Sequence, residues 1–278
     1  FFLCFSLKLF HLQGKQQILS TSTKAPITTR SAHSNSFVRL NSTKDISPEL
    51  IDLLQEKLGG QCLSCTDEFF AACSNLVKPG RGITNDQFTE NGKWMDGWES
   101  RRRRGSGHDM AILKLGLPGT IHALDIDTNN FIGNYPYYAS VDATNVDGNG
   151  DNGDDGDKVV SDNAQWVNIL PKVPLRASSQ HLFQLNQLEN NNEKFTHLRL
   201  HIYPDGGVAR LRAYGRVVYD LKSSGHQAVD VAATHNGGVA LACSDQHFGV
   251  MSNLLAPGRG INMGDGWETR RRRGPGHD

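Results

Sequence analysis

The stretch with the densest chemistry is DGWESRRRRGSGHD, residues 96–109. It returns almost unchanged as DGWETRRRRGPGHD at residues 265–278, with 12 of 14 positions identical. Four consecutive arginines in isolation suit a nuclear signal or a nucleic-acid patch. Their flanks point elsewhere, because Trp98-Glu99 precedes the run and Gly-x-Gly-His-Asp follows it. In an extended run Arg101 and Arg103 share a face with Glu99, while Arg102 and Arg104 face the other way. Guanidinium forks set against carboxylates suit a small planar anion or a ureido group. His108-Asp109 adds a titratable ring beside a carboxylate, suited to acid–base work or to a metal. Two such ligands per copy (His108-Asp109 and His277-Asp278) are too few to define a metal site, so a divalent metal stays open and no cofactor is specified.

Five cysteines are present: Cys4, Cys62, Cys65, Cys73 and Cys243. An odd, sparse set argues against a disulfide framework and for a reducing compartment, cytoplasmic or organellar. Cys62 and Cys65 have CxxC spacing without a second pair. In a regular strand, positions three apart point to opposite faces, so buried structural thiols are the favoured reading. The run DGNGDNGDDGD at 147–157 lacks the Gly and Glu of a calcium-binding loop and reads as a surface insertion.

These motifs are carried on a duplicated scaffold. Residues 59–83 and 237–261 match at 14 of 25 positions, at an offset of 178. The offset of the arginine motifs is 169, so the first copy has a nine-residue insertion around 84–93. A period near 170 residues is a duplicated domain rather than a solenoid repeat. The organisation expected is a leader over 1–44, a first domain over 45–222 with the acidic insertion at 145–158, and the first part of a second domain over 223–278. Half a domain leaves the apolar face of segments such as 238–243 uncovered.

Strands are predicted over 60–65, 110–115, 120–127, 137–142, 165–169, 181–185, 195–203 and 207–214. Eight short strands separated by turn signals indicate an all-β fold, a β-sandwich of the jelly-roll kind. One helix is predicted after Ser47-Pro48-Glu49, with Leu50, Leu53, Leu54 and Leu58 at helical spacing before Gly59-Gly60. Residues 195–203 alternate strictly, Leu198, Leu200 and Ile202 against His197, Arg199 and His201. Asp205-Gly206 then predicts a hairpin in which Leu200 faces Leu211 and Arg199 faces Arg212. Two opposed arginines need an anion between them, or splay into solvent.

Lys plus Arg and Asp plus Glu both total 29 over 278 residues. The neutral sum is uneven. Residues 1–44 hold six basic and no acidic residues, which leaves 23 basic against 29 acidic groups, a net of −6, in the rest. An acid-free, Ser-rich leader reads as a targeting peptide or as a tail outside the fold. The net of −6 weighs against a nucleic-acid partner, and no apolar run reaches the roughly 20 residues of a membrane span.

The stretches SCTDEFFAACSNLVKPGRGI, DGWESRRRRGSGHD, LDIDTNNFIGNYP and FTHLRLHIYPDGGVARLRAYGRV, with their second-copy counterparts, strongly resemble the allantoicase (allantoate amidinohydrolase) family. The resemblance covers roughly residues 46–278 outside the acidic insertion. It implies tandem galactose-binding-like jelly rolls, the second one incomplete here, and a homo-oligomer at full length. It implies hydrolysis of allantoate, a small carboxylate bearing two ureido groups, to ureidoglycolate and urea. That chemistry needs a proton for the departing urea and an activated water. Glu99, His108, Asp109 and Asp127 are the candidates for it. Arg101, Arg103, Asn134, Arg199 and Arg210 are candidates for holding the substrate. Asp67, Asp96, Asp127 and Asn134 equally suit turn capping, and Trp98 suits the core. The rival functions are a non-catalytic jelly-roll module for a sugar or small anion and, less well supported, nucleic-acid binding.

Overall fold

A computed structural model describes residues 37–146, 160, 164–186, 193–219, 228–271 and 275–277. Cys4, the acidic run from 147, Arg272 and Asp278 lie outside the described residues. The described strands are β1 (Phe37–Leu40), β2 (Ile51–Asp52), β3 (Gln61–Cys65), β4 (Phe88–Thr89), β5 (Gly92–Lys93), β6 (Trp98–Glu99) and β7 (Asp109–Asp127). They continue with β8 (Tyr138–Thr144), β9 (Val167–Pro174), β10 (Gln180–Leu185), β11 (Phe195–Tyr203), β12 (Gly207–Val208) and β13 (Arg210–Val217). The fold is all-β, and the helical pieces among the described residues are 3-10 turns of three to five residues.

The two expected strands at 110–115 and 120–127 are one 19-residue strand that belongs to both layers of the sandwich. Its first half lies between β3 and β11, and β8 and β9 extend that sheet. Its second half lies between β10 and β13, with β1 and β2 at the outer edges. The crossing falls at Gly116-Leu117-Pro118-Gly119. Glycine permits the close approach needed there, since a Cβ on Gly119 would sit 2.3 Å from the carbonyl oxygen of Arg216. Between the layers Leu113, Leu124, Ile126, Val141, Leu170, Leu198, Leu200 and Leu211 are fully buried.

Four expectations are corrected. First, β11 does not fold back on β13. Leu200 lies opposite Ala111 and Val141, and Leu211 opposite Ile126. The segment after β11 bridges the edge of the sandwich instead. Gly207 donates to the carbonyl of Asn134, Val208 pairs with Trp98, and Ala209 donates to the carbonyl of Asp127. Arg199 and Arg212 are thereby on different sheets, each with its own carboxylate, Asp142 and Asp52.

Second, no α-helix follows Ser47. The Leu53 N–H donates to the Ala213 carbonyl and its carbonyl accepts from Gly116. The Asp52 carboxylate accepts from the N–H groups of Leu54 and Ala213. With those backbone groups spent on the sheet, Leu53 and Leu54 plug the core rather than line a helix. Third, residues 37–40 of the leader belong to the fold, as an edge strand on β10. Fourth, among the described residues Cys62 and Cys73 form a disulfide, and Cys65 and Cys243 are free. A bulge between Cys62 and Ser64 shifts the register, so Cys62 pairs with Leu113 and Cys65 with Ala111. Leu113 and Ala111 share the core face, so both cysteines point the same way.

Residues 228–271 repeat the local bonding of the first copy without its sheets. The Trp98 indole donates to the carbonyl of Asp67 at 2.8 Å, and the Trp267 indole to that of Asp245 at 2.7 Å. The Arg101 and Arg270 N–H groups donate to the same two aspartates. Asn75 and Asn253 bond to Gly97 and Gly266. The apolar side chains differ in burial: Leu76 is 0% exposed and its counterpart Leu254 is 63% exposed.

Candidate functional site

Glu99 sits where β6 meets β12, opposite Gly207, and is buried. Its carboxylate borders a cavity of about 310 Å³ lined among others by Phe70, Lys93, Met95, Asn130 and Asn134. That volume is at the small end of ligand pockets, about 300–1,000 Å³. Asn134 Nδ2 donates to Glu99 Oε1 at 2.7 Å. Burial raises the proton affinity of Glu99, partly offset by that hydrogen bond and by the charge of Arg102. Arg102 also donates to the carbonyl of Gly133 at 2.9 Å and lies 3.6 Å from Asp205. A carboxyl group with a raised pKa at the wall of a small cavity is suited to giving and retaking a proton.

His108 belongs to a second cluster, on the outer face of the sheet. Its Nε2 is 2.8 Å from His201 Nδ1, and His201 Nε2 is 3.0 Å from Asp142. Arg199 bonds to the same carboxylate oxygen at 2.8 Å. Burial would raise the pKa of Asp142, but hydrogen bonds from His201, Asn168 and Arg199 hold it well below the usual carboxylate range. A carboxylate only accepts, so His201 in its neutral form donates from Nε2 and accepts at Nδ1. His108 then donates from Nε2 and keeps a lone pair on Nδ1. Burial, then the charges of His201 and Arg103, lower the pKa of His108 and favour its neutral ring.

The remaining candidates are engaged in ion pairs. Asp109 is buried and bonded to Arg103 and, at 2.9 Å, to Thr66. Asp127 is buried and held bidentately by Arg81 at 2.8 and 2.9 Å. Arg210 is buried against Asp96 at 2.8 Å, and Arg101 is bonded to Asp67 at 3.0 Å.

Among the sequence candidates, the structure therefore brings Glu99 to Asn134, His108 to Arg199 by way of His201 and Asp142, and Asp109 to Arg103. It does not gather Glu99, His108, Asp109 and Asp127 around one cavity. The alternation expected for the arginine run is also corrected. Arg102, not Arg101 or Arg103, carries positive charge next to Glu99, because Asp67 and Asp109 draw the other two away. Sequence reasoning missed Asp142, Arg81, Lys93 and Asn130. His201 had a signal, since strict alternation put it on one face with Arg199. A larger cavity, about 390 Å³, lies between Ile51, Val217, Val239 and Leu241. Its charged pair, Glu49 and Arg216, is self-neutralised at 2.6 Å, so it offers no free acid or base.

A family model described as "Allantoicase repeat" matches residues 51–218 and again 229–278. The chain is 49% identical over 232 residues to a probable allantoicase of Pseudomonas fluorescens. It is 51% identical over 232 residues to a probable allantoicase of Photobacterium profundum. Each alignment covers 83% of this chain and 66% of the relative, so the chain spans just under two thirds of their length. Among solved structures it is similar to a crystal structure of allantoicase from Saccharomyces cerevisiae. The TM-score is 0.70 at 41% identity, covering 82% of this chain and 66% of that one.

Proposed function

The chain belongs to the allantoicase family, and on that premise we propose that its protein hydrolyses allantoate to ureidoglycolate and urea. The observation that carries the proposal is the buried Glu99, its proton affinity raised by burial, at the wall of a small cavity, with the amide of Asn134 and the charge of Arg102 beside it. Arg102 and Lys93 supply the positive charge that the substrate carboxylate needs. The amides of Asn130 and Asn134 match the donors and acceptors of a ureido group.

In the proposed reaction, protonated Glu99 delivers its proton to the ureido nitrogen bound to the central carbon. The C–N bond breaks, urea leaves, and the lone pair of the second ureido nitrogen stabilises the carbon. The Glu99 carboxylate then takes a proton from water as its oxygen bonds to that carbon. One water is consumed, one urea and one ureidoglycolate form, and Glu99 regains its proton. The test is incubation of the full-length protein with allantoate, assaying urea and ureidoglycolate. Equal release of both is expected, with kcat lowered by about 10²–10⁴ in Glu99→Gln. No release from folded protein would overturn the activity; undiminished kcat in Glu99→Gln would overturn the site.

A further inference from the structure

We propose that reduction of the Cys62–Cys73 disulfide converts this corner of the first domain into a tetrahedral thiolate site for Zn²⁺, with Cys62, Cys65, Cys73 and Glu68 as ligands. Three of the four donors already converge. The sulfurs of Cys65 and Cys73 and a carboxylate oxygen of Glu68 all lie within 4.8 Å of one another. Cys62 Sγ is bonded to Cys73 Sγ and so reaches the same point. Zn–S bonds of about 2.3 Å in a tetrahedron put sulfurs about 3.8 Å apart, a spacing these side chains reach by small rotations.

The backbone prepares the cluster. The bulge in β3 turns Cys62 and Cys65 to one side, which a regular strand would not do. Cys73 opens the 3-10 turn Cys73–Val77, and its N–H donates to Glu68 at 2.9 Å, which fixes the carboxylate over the sulfurs. Cys73 is buried, whereas Cys65 is half-buried and Glu68 is exposed, which leaves an entry path for the ion. The C-x₂-C spacing and a donor set of three sulfurs and one oxygen suit zinc better than a hard cation. In the second copy the equivalent positions are Ala240, Cys243, Gln246 and Met251, so that copy keeps only one of the four donors and serves as an internal contrast.

The chemistry balances. A dithiol reductant transfers two electrons and two protons to the disulfide, giving two thiols and its own cyclic disulfide. Zn²⁺ then displaces three protons, from Cys62, Cys65 and Cys73, while Glu68 enters as a carboxylate. A disulfide oxidant takes the two electrons back by thiol–disulfide exchange, is itself reduced to a dithiol, and re-forms Cys62–Cys73; the metal leaves because two of the three sulfurs are withdrawn, and Cys65 regains its proton from water.

The probe is Co²⁺ added to the purified protein, before and after dithiothreitol, followed by Zn²⁺ competition. Expected after reduction are a thiolate-to-cobalt charge-transfer band, tetrahedral d–d absorption at one Co²⁺ per chain, and their loss when Zn²⁺ is added. No band is expected in the oxidised protein. Cys65→Ser retains the disulfide, so its oxidised fold can be verified by circular dichroism, and it should lose the band on reduction. Glu68→Gln should bind Co²⁺ at least about tenfold more weakly, since even outer-shell changes cost 10–100-fold. The double change Cys4→Ser with Cys243→Ser should leave the band intact. The proposal is overturned by a folded, reduced protein without the band, by an undiminished band in Cys65→Ser, by loss of the band in the Cys4 and Cys243 variant, or by a disulfide that resists the reductant.

Discussion

Asn134 holds the Glu99 carboxylate by a 2.7 Å hydrogen bond across 35 residues of sequence. The bond favours the ionised form and so works against burial, which favours the protonated form. Glu99 is therefore poised between two opposed influences, as a group that must release and recapture a proton requires.

Removing the amide tips that balance in a calculable direction. In Asn134→Ala the charged form of Glu99 loses a hydrogen bond, and its pKa rises. A hydrogen bond to a charged group contributes about 1.5–3 kcal/mol, and 1.36 kcal/mol is one pKa unit. The alkaline limb of kcat/KM for allantoate, set by deprotonation of the acid, should move up by about one pH unit or more. A pH–rate profile unchanged in position would show that Glu99 does not set that limb.

Asp125 makes stability pH-dependent. It is buried, and burial together with the charge of Asp127 pushes its pKa up to about 7. Gln180 donates to one of its oxygens at 2.9 Å, while the other has no hydrogen-bond partner among the described residues. Between its unfolded pKa of about 3.9 and its folded value near 7, the native state binds more protons than the unfolded state. Stability therefore falls as pH rises through that window. Asp125→Asn should stabilise the protein at pH 8 by up to about 4 kcal/mol and by little at pH 4. Urea denaturation at both pH values reads the difference, and equal effects at the two would refute it.

His108 tests the outer-face cluster. Its lowered pKa comes first from burial and next from repulsion by His201, 2.8 Å away. His201→Gln keeps a hydrogen-bonding side chain there and removes the ring that can become charged. The pKa of His108, followed by NMR titration of its ring protons, should rise toward the unperturbed value of about 6.5. A value that stays put would mean that burial and the charge of Arg103 lower it without help from His201.

Which features were legible in the sequence follows from the range of the interaction concerned. Alternation located β11, because burial of Leu198, Leu200 and Ile202 is a period-2 pattern readable within nine residues. The pairing of β11 was not legible. A hairpin register looks self-consistent whenever both strands alternate, and only the bent β7 decides that Leu200 meets Ala111 rather than Leu211. The leucines at 50, 53, 54 and 58 fit a helix for the same reason, while distant Ala213 and Gly116 claim their backbone. The arginine run is legible in the sequence, but Asp67, Asp109 and Asp205, which aim its members, are fixed only by the fold. The bulge that turns Cys62 and Cys65 together left no mark in a CxxC read as a regular strand.

The repeated tryptophans separate what the local motif contributes from what the sandwich contributes. Trp98 and Trp267 make the same indole hydrogen bond, to Asp67 and Asp245. Trp98 is fully buried in the core cluster, whereas Trp267 is half-buried on a segment whose neighbours Phe248, Leu254 and Met263 are exposed. If the hydrogen bond dominated, replacing either ring would cost about 1 kcal/mol. If packing dominates, Trp98→Ala should cost about 3–5 kcal/mol, and Trp267→Ala close to the hydrogen-bond figure alone. Denaturant midpoints of the two variants, measured on this same chain, decide between these accounts. Equal losses near 1 kcal/mol would favour the hydrogen bond, and equal losses of about 3–5 kcal/mol would mean that the second-copy segment is packed as tightly as the first domain, contrary to the exposure of its leucines.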